Sequence, residues 1–60
     1  MRGTLIERAE RLETQSARAA YAAAVAAHGG CPADAEAWNR RAERLETMAG
    51  DARRAALKSN

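Results

Sequence analysis

His28-Gly29-Gly30-Cys31-Pro32 stands at the middle of this sixty-residue chain, and its reading decides the fold. A basic-capable histidine followed by glycine is a helix C-terminus: the imidazole suits the negative end of the dipole, and glycine takes the left-handed C′ conformation without a Cβ clash. Proline one step later suits the first position of a new helix, where its missing N–H leaves nothing unpaired. Asp34 and Glu36 then favour the positive end of that second dipole. Upstream, no glycine or proline interrupts Thr4 to His28, and Thr4 with Glu7 forms a capping box. The spacing predicts helix 1 over about 4–28, a turn at 29–31 and helix 2 over about 32–57.

Periodicity supports both helices. Leu5, Ala9, Leu12, Ser16, Ala19, Ala23 and Ala26 alternate three and four apart, as do Ala35, Trp38, Ala42, Leu45, Ala49, Ala52 and Ala56. The second series keeps phase across Gly50-Asp51, so helix 2 is expected to run through the glycine at a cost of about 1 kcal/mol. Two helices of about 25 residues extend for about 38 Å each. A three-residue connection makes them antiparallel neighbours. The fold class is therefore all-α, an antiparallel two-helix hairpin forming a single unit. Leu5, Ala9, Leu12, Ala23, Trp38, Ala42, Leu45 and Ala49 are its expected seam, with Trp38 lying over Ala22 and Ala23. The sequence RAERLET occurs twice, at 8–14 and 41–47. It reads either as a duplicated contact surface or as a few helix-forming residue types used twice.

Composition limits what such a hairpin can do. Hydrophobic residues make up 47% of the chain, but 17 of those 28 are alanine. Few large side chains remain to build a core, and chains this short commonly need a partner to complete one. The hairpin is expected to dimerise into a four-helix bundle, coiled-coil-like in its packing, or to pack on another protein. Tyr21 and Val25 carry that expectation. They project away from the seam on a helix that is alanine nearly all round, and a helix apolar around its circumference is a buried one.

Charges are balanced, +4 −3 over residues 1–30 and +6 −5 over 31–60, which argues against a protein living on bulk phosphate attraction. The sequence shows no secretory signal, and its longest apolar run, about nine residues, falls short of the ~20 that span a bilayer. A cytoplasmic protein is the expectation. One cysteine excludes an internal disulfide. His28 and Cys31 are two zinc-type ligands where four are needed, so no metal is expected. Cys31 as a nucleophile would need an activating base and a pocket, which a short hairpin offers poorly. No catalytic residue, cofactor or small-molecule substrate is expected. Glu7–Arg11 and Glu36–Arg40 have the favourable i,i+4 order for surface ion pairs.

Helix 1 sorts its charges. At about 100° per residue Arg8, Arg11, Gln15 and Arg18 fall within one sector of about 80°, with Glu7, Glu10 and Glu13 in another. Such a stripe is a candidate for meeting phosphates and base edges, although no aromatic lies within it. In length and layout the hairpin is similar to the Rop family of plasmid regulators, whose hairpins dimerise into four-helix bundles and bind RNA on one helical face. The likeness is of architecture, not of aligned residues, and it implies an RNA- or DNA-binding regulator. The WXG secretion substrates are another helical-hairpin group, but their Trp-x-Gly turn is absent. Three readings follow: a small non-enzymatic interaction or regulatory protein acting through its alanine-rich surface, a nucleic-acid binder using the stripe, and a structural subunit of a larger assembly.

Overall fold

The computed structural model describes residues 2–58. Helix α1 spans Arg2–His28 and helix α2 spans Pro32–Lys58, packed against each other as a hairpin whose Cα envelope measures 47 × 13 × 9 Å. Helix α1 begins two residues before the expected cap. Thr4 lies inside the first turn rather than before it, so it does not hold the N-cap position. Helix α2 runs unbroken through Gly50.

The turn is built by hydrogen bonds that the glycines make possible. Gly30 has φ +80°, the only positive φ among the described residues. Its N–H donates to the Ala27 carbonyl at 3.3 Å, and the Cys31 N–H donates to the Ala26 carbonyl at 2.9 Å. These two bonds are the Schellman arrangement that satisfies the last carbonyls of a helix. The Cys31 carbonyl then accepts from the Ala35 N–H at 3.0 Å, so the first bond of α2 is made as α1 ends.

The core is a single seam of small residues. Ala9, Leu12, Ala19 and Ala23 of α1 are buried against Ala35, Ala42, Leu45, Ala49, Ala52 and Ala56 of α2. Leu12 and Leu45 are the only large side chains buried among the described residues, and they cluster with Ala19, Ala42 and Ala49. Ser16, the one buried polar residue among the described residues, donates its hydroxyl to the Ala42 carbonyl of the facing helix at 3.0 Å. A hydroxyl reaching the opposite backbone is possible because alanine lets the helices come close.

The same close approach moves Trp38 off the seam. Its indole is 39% exposed and stands at the rim, while Ala35 and Ala42 take the buried positions on either side. There is no room for a ring between two alanine-lined backbones. Leu5, at the open end, is half-buried.

The RAERLET copies occupy equivalent places. Ala9 and Leu12 are buried, as are Ala42 and Leu45, and Thr14 and Thr47 each donate to the carbonyl four residues back at 3.0 Å. The offset of 33 extends beyond the copies: Ser16, Ala19 and Ala23 correspond to Ala49, Ala52 and Ala56, all buried. The hairpin thus has an internal twofold relation passing between Leu12 and Leu45.

Candidate interaction faces

Two surfaces stand out, both near the turn. The first is an apolar groove lined by Tyr21, Ala22, Val25, Ala26 and Trp38, with Gly29, Cys31 and Asp34 at its end. Tyr21 is 74% exposed and Val25 54%. Helix periodicity puts them here: Tyr21 and Val25 are four apart, as are Ala22 and Ala26, and the two pairs sit side by side on one flank of α1. From α2, Trp38 and Asp34 border the groove and leave both side chains mostly exposed.

The second surface adjoins the first at Ala22 and Trp38. Gln15, Arg18, Ala19 and Ala22 of α1 and Trp38 and Arg41 of α2 line a shallow groove. The Arg41 guanidinium sits over the Trp38 ring, 5.8 Å from its centroid. That distance is near the outer limit for a cation–π contact, and an exposed contact of this kind contributes about 0.5–1 kcal/mol. Arg8 lines the next groove along the same face, with Leu5 and Met48. Of the stripe, Gln15 and Arg18 therefore face Trp38 and Arg41 of the second helix, and Arg8 faces Met48 and Asp51. The aromatic missing from the stripe in sequence is supplied across the seam, a neighbour that only the antiparallel register reveals.

The ion pairs lie apart from these faces or at their edges. Arg53 donates twice to the Glu13 carboxylate, Nε and Nη2 each at 2.7 Å, and clamps α2 to α1. The hydrogen bonds from Arg53, and secondarily its charge, hold the Glu13 carboxyl below the ordinary carboxylate range; the same contacts raise Arg53. Arg40 pairs with Glu36 at 3.2 Å, and Arg54 pairs with Asp51. The expected Glu7–Arg11 pair does not form, since an exposed pair gains little over the entropy of holding two long side chains. Arg8, Arg11, Arg18 and Arg44 make no ion pair among the described residues. The Glu13–Arg53 clamp left no trace in the sequence, because its partners are forty residues apart.

His28 and Cys31 flank the turn and both are exposed. No group of three or more His, Cys, Asp or Glu side chains among the described residues is placed to hold a metal ion. No described helix is long and apolar enough to cross a membrane. The chain matches no family model, no curated protein and no solved structure.

Proposed function

We propose that this chain is a small interaction protein that works by contact rather than catalysis, and that its first partner is a second copy of itself. The exposed groove formed by Tyr21, Val25, Ala22 and Ala26 carries the reading. An exposed tyrosine and valine beside alanines form an apolar strip that costs free energy in water and gains it when covered. The hairpin's own core supports self-association, since Leu12 and Leu45 are the only large side chains buried among the described residues. A second hairpin laid on this strip would bury large residues that one hairpin leaves in solvent, as four-helix bundles do.

Sedimentation equilibrium tests this with the Tyr21→Glu/Val25→Glu double variant. The unaltered chain should be a dimer or larger at micromolar concentration. The variant should be monomeric and less heat-stable, because charge would enter a water-excluded contact. A folded monomer for the unaltered chain would overturn the proposal. An oligomer that persists in the variant would move the self-contact elsewhere and leave Tyr21 and Val25 to a different protein.

A further inference from the structure

The internal twofold supplies a comparison within the molecule. The groove at the open end is lined by Leu5, Arg8, Met48, Asp51, Ala52 and Ala55. The groove beside Trp38 is lined, in corresponding order, by Trp38, Arg41, Gln15, Arg18, Ala19 and Ala22. Each position is offset by 33 residues from its counterpart. Both grooves keep two alanines on one wall, Ala52 and Ala55 in one and Ala19 and Ala22 in the other, and an arginine facing them from the other helix. They differ at three places: Trp38 stands for Leu5, Gln15 for Met48 and Arg18 for Asp51. Since the open-end groove packs with leucine, methionine and aspartate, packing does not demand the tryptophan, glutamine and second arginine of the other. Every difference also runs one way, toward an exposed π-face, amide hydrogen bonding and positive charge.

From this asymmetry we infer that the groove of Gln15, Arg18, Trp38 and Arg41 binds single-stranded nucleic acid, with a base stacked on the Trp38 indole and phosphates held by Arg18 and Arg41. An indole at a rim can meet only a base that has left its stack, which selects single strands over duplex. Gln15 offers a donor and an acceptor to a base edge. Among the described residues Arg18 makes no ion pair and no acidic side chain lines the groove. Arg41 is held near the ring by a weak, exposed contact and can exchange it for a phosphate. Arg11 and Arg8 continue the positive track along α1, extending it by about 15 Å from Arg18 at 1.5 Å per residue. This groove shares Ala22 and Trp38 with the Tyr21–Val25 strip, whereas its polar and charged residues, Gln15, Arg18 and Arg41, line it alone.

The full chain is titrated with oligouridylate of about twelve nucleotides, within the usual footprint of such sites. Trp38 is the only tryptophan, so its fluorescence reports the contact directly. Saturable quenching is expected, with affinity falling as salt rises at a log–log slope of about −2 for three neutralised phosphates. A labelled oligonucleotide followed by anisotropy reads the variants. Trp38→Leu, the residue of the counterpart groove, should weaken binding about tenfold, the loss of one stacked base. Arg18→Asp should abolish it, whereas Arg40→Ala, on a paired arginine outside the groove, should leave it unchanged. Helicity by circular dichroism confirms that each variant folds. No quenching up to about 100 µM protein at low salt would overturn the inference. So would equal affinity for inorganic polyphosphate or anionic vesicles with no loss in Trp38→Leu, or tighter binding of a duplex of the same length.

Discussion

Truncating Leu12 to alanine tests the seam most directly. Leu12 is 8% exposed and sits in a cluster with Leu45 and three alanines. Leu12→Ala removes three carbon atoms from water-excluded contact, and at about 0.8 kcal/mol for each the transfer loss is about 2.4 kcal/mol. A buried leucine in a large core loses more, up to about 5 kcal/mol, because a cavity persists. Here the seam is one side chain deep, with shallow grooves along it, so water fills the space and the cavity contribution is small. The expected loss is therefore about 2–3 kcal/mol. For a sixty-residue chain that lowers the midpoint of thermal unfolding by about 15–20 °C. Urea titration followed by circular dichroism measures it at fixed protein concentration, since any dimer makes stability concentration-dependent. Leu45→Ala should cost a similar amount, and the double variant should lose less than twice as much because the two leucines share one cluster. A loss below about 0.5 kcal/mol for either would mean that the leucine is not at the contact and that the register is wrong.

Two further perturbations probe the frame. Gly50→Ala should stabilise by about 0.5–1 kcal/mol, since an added Cβ meets only the Arg54 side chain at 3.7 Å and alanine is the better helix former. Gly30→Ala should destabilise, because φ is +80° there; the opposite signs are read in one pair of urea titrations. Glu13→Gln should remove an acid-sensitive component of stability. The bidentate bond from Arg53 depresses the Glu13 carboxyl, so its contribution is present above the carboxyl's unfolded-state pKa and is lost as pH falls through the folded one. Both side chains are about half exposed, so the effect is modest and shrinks in salt. An acid limb identical in the variant and the unaltered chain would remove the clamp from the fold's stability.

The hairpin was legible because its determinants are local. Gly29-Gly30 can end a helix and Pro32 can begin one whatever lies elsewhere, and the three–four spacing through Gly50 needs only a helix to be meaningful. What sequence hid depends on how the two helices meet. Trp38 falls at the right spacing for the seam, yet an alanine seam closes too tightly to admit an indole. The basic stripe on α1 reads as lacking an aromatic until the register sets Trp38 beside Gln15 and Arg18. The Glu13–Arg53 clamp and the Ser16–Ala42 hydrogen bond are likewise products of that register.

The alanine seam also explains where a specific surface can arise in so small a protein. A seam of small residues fixes the distance between the helices and leaves no interior volume, so any large side chain on a flank must stand at a rim. The twofold relation then gives the hairpin two equivalent rim grooves built on the same alanines. Positions that the two share, such as Leu12 with Leu45 and Ala19 with Ala52, answer to packing and are buried in both copies. Positions that differ and stand at a rim, unlike the buried Ser16 and Ala49, are not fixed by packing and are free to answer to a ligand. Trp38, Gln15 and Arg18 are such positions, gathered in one groove from two helices. The twofold relation thus separates, within sixty residues, side chains that hold the fold from rim side chains whose chemistry the fold does not need.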